Sequence, residues 1–164
     1  PAPPSKCIIR KVGYDELVAL LGKPVGGDEA KAVLAKAGKV TYGKYHVQAY
    51  DAGFDIAMGA PTDGKTASRP LTVIFLYADG VSRHKAFADL PKPYLWGTRA
   101  QLLKVMPEPA RGFTHAAGKK VKPLPLDDSE VYREEWRQGK LRLWAAYARG
   151  GRIEHYGVSS WART

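Results

Sequence analysis

The sequence predicts an α+β fold made of two tandem helix-then-antiparallel-sheet halves, with the helices on one sheet face. Three observations predict it. Apolar residues at helical spacing come first in each half, and period-two alternation with β-formers follows. The punctuation also recurs: Leu17-Val18 and Leu20-Leu21 before Pro24 are echoed by Leu102-Leu103 and Val105-Met106 before Pro109, an offset of 85, and the strand after Gly53 is echoed by one after Gly139, an offset of 86. Finally, 164 residues with 45% hydrophobic and 26% charged side chains suit one domain of ordinary size. Residues 1–13, opening Pro1-Ala2-Pro3-Pro4, are expected to be an extended lead-in. Residues 14–164 form a single α+β domain on this reading, with half-repeats at about 14–88 and 97–160. Two unrelated segments with common punctuation are the competing explanation.

Asp15 is the expected N-cap of a first helix whose apolar face is Leu17, Val18, Leu20 and Leu21; Gly22 and Pro24 stop it. A second helix runs from Asp28 to Ala37, with Asp28-Glu29 at its positive end, Val33 and Leu34 as anchors and Gly38 as terminator. Strands follow over Val40 to Ala49 and Phe54 to Met58, the second with Asp55 and Ala57 on its polar side. Gly59 to Arg69 is turn chemistry. Leu71 to Tyr77 is a near-continuous apolar run and reads as a central strand covered on both faces. Asp79-Gly80 turns the chain, Val81 to Phe87 returns as a shorter strand, and Leu90-Pro91-Lys92-Pro93 is an extended connector. Thr98 caps a third helix with apolar positions Leu102, Leu103, Val105 and Met106, and Leu20 and Leu103 are expected to be buried anchors. Residues 110–128 read as a long loop. Two strands close the chain, one from about Tyr132 or Lys140 to Tyr147 and one from Arg152 to Ser159, joined at Arg149-Gly150-Gly151.

The net charge is +10, and it is unevenly placed. Residues 1–82 carry ten Lys/Arg against eight Asp/Glu; residues 83–164 carry sixteen against eight. Attraction to an acidic partner therefore belongs to the second half. The longest apolar run, Leu71 to Ala78, is too short to span a membrane. Cys7 is the sole cysteine, which excludes an intrachain disulfide and a cysteine-built zinc site. One thiol fits a reducing compartment, so the cytoplasm is the expected location, with a processed or secreted form as the alternative.

No catalytic, cofactor or metal site emerges, and the chain reads as a non-enzyme. Gly59 to Thr66 matches the phosphate-loop pattern GxxxxGK[ST] and follows a strand. Such a loop needs a helix opening at its Lys-Thr, whereas Ala67-Ser68-Arg69-Pro70 leads into a strand. It is read as a hairpin loop. His46, His84, His115 and His155 are scattered without metal spacing. Asp127, Asp128, Glu130, Glu134 and Glu135, interleaved with Arg133 and Arg137, read as a solvated charged face. Alternation in the closing strands sets Leu141, Leu143, Ala145 and Tyr147 against Arg142 and Trp144, and groups Arg152 with Tyr156. Arg142, Trp144, Arg152 and Tyr156 are thus the expected partner-binding residues, on an exposed sheet face of the types found at interface hot spots. The same residues could serve a nucleic-acid strand, or Trp144 and Tyr156 could pack beneath a helix or loop.

Leu21-Gly22-Lys23-Pro24, Ile74-Phe75-Leu76-Tyr77 and Phe87-Ala88-Asp89-Leu90-Pro91 resemble the motifs of a family of small bacterial proteins. So does the ending with Trp136, Leu141-Arg142-Leu143, Tyr147 and Gly150-Gly151-Arg152-Ile153. The chain departs from that pattern at Asp89 and at Val105-Met106-Pro107-Glu108-Pro109, which stands where the family repeats its LGxP helix end. Such proteins look like immunity or inhibitor components of bacterial competition systems. The doubled layout is also similar to that of β-lactamase inhibitory proteins, without their disulfides. The resemblance implies a non-catalytic immunity or inhibitor protein that neutralises a toxin or enzyme; the charge adds that the partner's surface is acidic, and the residues lead to no expected cofactor, metal or membrane. A basic nucleic-acid-binding domain is the alternative.

Overall fold

The computed structural model describes residues 12–77, 97–115, 120–121 and 127–161. The expected turn at Asp79-Gly80, the strand over Val81 to Phe87, the Leu90–Pro93 connector, Cys7 and His84 lie outside them, as does most of the expected lead-in. The fold is α+β and mostly antiparallel sheet. The chain divides into two compact units, residues 1–90 and 91–164.

In the first unit, helices α1 (Tyr14–Val18) and α2 (Asp28–Lys36) precede strands β1 (Thr41–Tyr42), β2 (His46–Ala49), β3 (Phe54–Met58) and β4 (Leu71–Tyr77), which pair in that order as antiparallel neighbours. Gly13, rather than Asp15, is the N-cap of α1, because the Glu16 carboxylate accepts the Gly13 N–H at 2.9 Å. Glu16 also pairs with Lys36 and so ties α1 to the end of α2. Leu17 and Leu20 are buried as expected. On α2 the buried stripe is Ala30, Leu34 and then Ala37, with Val33 only half-buried.

The segment after α1 does more than stop a helix. Pro24 and Pro70 form an antiparallel bridge, and Gly22, Val25 and Gly26 donate to the carbonyls of Leu71, Arg69 and Ala67 at 2.7–2.9 Å. A Cβ on Gly26 would sit 2.5 Å from that of Ala67, so glycine is what allows the approach. This clasp holds the start of β4. On β4 only Leu71, Ile74 and Leu76 are fully buried, so the expected two-sided cover is incomplete.

In the second unit, helix α3 (Arg99–Leu103) is capped by Thr98, whose hydroxyl accepts the Gln101 N–H. The helix is one turn shorter than expected. Leu102 is buried, Leu103 is half-buried, and Val105, expected on the apolar face, is 47% exposed beyond the helix end. The strands are β5 (Arg111–Thr114), β6 (Lys120–Val121), β7 (Val131–Gln138), β8 (Leu141–Tyr147) and β9 (Ile153–Ser160). They pair antiparallel in the order β6-β5-β7-β8-β9. Two corrections follow. The expected loop over 110–128 contains β5 and β6, and the closing pair of strands is three strands, with Gly139-Lys140 turning β7 into β8. Gly150 and Gly151 turn β8 into β9, both at positive φ.

Candidate functional site

Cross-strand register sorts the second sheet into two faces. Glu134, Ala145 and Tyr156 lie side by side, as do Trp136, Leu143 and Val158. This face meets α3: Arg99 donates from Nε (2.8 Å) and NH2 (3.1 Å) to Glu134, and Trp136 Nε1 donates to the Pro107 carbonyl at 2.8 Å. Tyr147 OH donates to Glu134 at 3.0 Å, and Arg99 NH1 reaches Asp128 at 2.6 Å. Burial opposes the Arg99 charge, but its bonds to Glu134 and Asp128 outweigh that and hold the guanidinium protonated more firmly than usual. Burial, reinforced by the Glu134 charge, drives the Tyr147 phenol well above its ordinary range.

The opposite face carries Phe113 and Arg111 on β5, Arg133, Glu135 and Arg137 on β7, Arg142 and Trp144 on β8, and His155, Gly157 and Ser159 on β9. Arg133 lies over the Trp144 ring, 4.2 Å from its centroid, and over Phe113 at 5.9 Å. Its NH2 donates to Glu135 at 2.5 Å. Arg111, Arg137 and Arg142 stand 4.9, 5.5 and 5.8 Å from the ring of half-buried Trp161, just past β9. Arg137 and Arg142 are directly opposite across the β7–β8 pair, a like-charge arrangement that disfavours the sheet. Among the described residues, neither Arg111 nor Arg137 has a carboxylate within salt-bridge distance. The Trp144 indole lies on Gly157, its cross-strand partner: a Cβ there would fall 1.8 Å from Cε2.

The four expected partner-binding residues therefore separate. Arg142 and Trp144 share this face, but Trp144 is 3% exposed and forms its floor. Tyr156 is 1% exposed and points to the α3 side, because it pairs with Ala145 and not with Trp144. A bulge at Ala146/Tyr147 shifts the register ahead of it, which alternation within one strand does not reveal. Arg152 is exposed and bridges Thr98 at the start of α3. The acidic run is also corrected: Glu134 and Glu135 are buried on opposite faces, each held by an arginine, and are not a solvated face. Sequence reasoning missed Arg111, Arg137 and Trp161, since nothing but pairing brings them together.

The phosphate-loop look-alike joins antiparallel β3 and β4 as a hairpin. Its amides are engaged internally: Thr62 and Asp63 N–H donate to Ser68 Oγ, and Lys65 N–H to Asp63 Oδ1. Only a three-residue 3-10 turn, Thr66–Ser68, follows. Among the described residues, no three His, Cys, Asp or Glu side chains are grouped to hold a metal, and no helix is long and apolar enough to cross a membrane. The first unit has a cavity of about 220 Å3 lined by Lys39, Thr41, Gln48 and Tyr50.

No family model, curated protein or solved structure matches the chain significantly.

Proposed function

We propose that the chain is a non-catalytic binding protein of the immunity or inhibitor kind, which neutralises a toxin or enzyme by docking an acidic surface on the arginine face of its second unit. The observation that carries this reading is the set of guanidinium groups around Trp161, where Arg137 and Arg142 face each other and, among the described residues, the Glu135 carboxylate on this face is paired with Arg133. A guanidinium fork suits bidentate carboxylate recognition and can stack on an aromatic ring at the same time. The layout agrees with the reading: in each unit helix precedes antiparallel sheet, as tandem halves would have it, and in the second unit α3 takes the face opposite the arginines.

A nucleic-acid partner would use open aromatic rings for base stacking. Trp144 is buried here and Trp161 is hemmed by three guanidiniums, which favours a protein partner. The test is affinity capture with the full chain, then calorimetry on the captured protein. Arg142→Glu weakens binding at least tenfold with an unchanged thermal melt. Binding of any oligonucleotide, falling steeply with salt, in place of one salt-tolerant protein partner overturns the reading.

A further inference from the structure

We infer that His46 in the first unit is a modification site, whose Nε2 accepts a phosphoryl group from a small activated phosphoryl donor. The inference stands apart from the arginine face and does not depend on it.

The geometry begins with the pleat. Gln48 pairs with Asp55 and Asp55 with Phe75, so His46, Gln48, Asp55, Phe75 and Tyr77 share one face of the first sheet. Asp55, expected on a polar strand side, is only 6% exposed. Three donors surround it: His46 Nδ1 at 2.9 Å on one oxygen, and Tyr77 OH at 3.1 Å and Gln48 Nε2 at 3.5 Å on the other. Burial, with the Asp55 charge beside it, raises the Tyr77 phenol far above its ordinary range, so Tyr77 stays a donor.

An ionised carboxylate only accepts, so the proton of the neutral imidazole sits on Nδ1 and the lone pair on Nε2. The His46 side chain is 44% exposed, and among the described residues Nε2 has no hydrogen-bond partner. The result is a surface nucleophile with a fixed tautomer and a fixed ring. Of the other described histidines, His115 has a buried Nε2, and His155, half-buried like His46, has no carboxylate within salt-bridge distance among the described residues.

In the transfer, the Nε2 lone pair attacks phosphorus, the P–Nε2 bond forms and the bond from phosphorus to the leaving group breaks. With phosphoramidate, ammonia departs. Nδ1 keeps its proton, the ring becomes cationic, and the Asp55 carboxylate 2.9 Å away compensates that charge. Lys44 and Arg69, 5.2 and 5.8 Å from the Tyr45 ring, bring two cations to this end of β2, which suits an anionic donor. Asp55 acts as a positioning residue.

The full chain is incubated with phosphoramidate and followed by intact mass, peptide mapping and phosphorus NMR. His46 is phosphorylated at Nε2 at least tenfold faster than the histidine of a Gly-His-Gly peptide. His46→Gln removes the fast phase, Asp55→Asn slows it to the peptide rate, and His155→Gln leaves it intact. A His46 rate no greater than the peptide's, reaction at Nδ1, or a fast phase surviving His46→Gln overturns the inference. The wild-type and His46→Gln measurements decide the matter even where Asp55→Asn fails to fold.

Discussion

Glu134 and Glu135 are neighbours in sequence, yet they enter two different environments. Glu134 lies under α3 with Arg99, Asp128 and Tyr147 around it, and every strong donor there has an acceptor. Glu135 lies on the other face, where it pairs with Arg133 while Arg111, Arg137 and Arg142 gather around Trp161. One face is electrostatically closed and works as a fastener between helix and sheet. The other keeps excess positive charge in rigid, ring-supported positions, an arrangement that costs stability unless an anionic partner arrives. On the proposed reading, charge balance, more than residue type, separates the structural Arg99 from the arginines offered for binding.

The comparison breaks most severely at Glu134. Replacing it with Ala leaves Arg99 buried without its main partner, and stability falls by roughly 3–5 kcal/mol in denaturant unfolding. Arg133→Ala on the other face likewise leaves a buried carboxylate, Glu135, without its arginine, and a comparable loss is expected in the same assay. The next largest effect is at the floor of the arginine face. Gly157→Ala forces the Trp144 indole off its seat, and a loss of roughly 1–3 kcal/mol is expected in the same assay, with shifted tryptophan fluorescence. A variant as stable as the wild type would show that the indole rests elsewhere.

Trp161→Ala sharpens the contrast. It leaves the melt within about 0.5 kcal/mol, as befits a half-buried residue at a strand end. Partner affinity measured by calorimetry drops several-fold, because three guanidiniums lose their common support. The smallest effect is at His155, whose protonation is disfavoured by burial, with Arg133 adding to the effect and Glu154 opposing it. A depressed folded pKa means that the folded state binds fewer protons. Stability is then full above the unfolded value of about 6.5 and declines as pH falls below it. His155→Gln flattens that acid limb in melts taken between pH 7 and 5, and an unchanged slope contradicts the assignment.

The legible and illegible parts of the fold divide along similar lines. Local chemistry was readable: the Thr98 cap, the Gly150-Gly151 turn, the burial of Leu17 and Leu20, and the hairpin nature of Gly59 to Thr66 all follow from neighbours in sequence. Pairing was not. The bulge at Ala146/Tyr147 put Tyr156 on the α3 side, while β5 was hidden between Pro109 and the basic stretch beyond His115 because it is four residues long and includes Gly112. Arg142 was named from alternation alone, whereas its companions Arg111, Arg137 and Trp161 come from β5, β7 and the end of β9. The dense acidic run looked solvated because sequence cannot say that an arginine 35 residues away reaches Glu134.

The most direct test separates placement of charge from amount of charge. Partner affinity is measured by calorimetry for Arg137→Gln/Arg142→Gln and for Lys31→Gln/Lys104→Gln, two pairs that remove the same charge, the second from exposed sites off the arginine face. The arginine pair should lose on the order of a hundredfold, about 2.7 kcal/mol, with its melt intact, while the lysine pair stays within about threefold. Equal losses in the two pairs, or none in the arginine pair, would contradict the account.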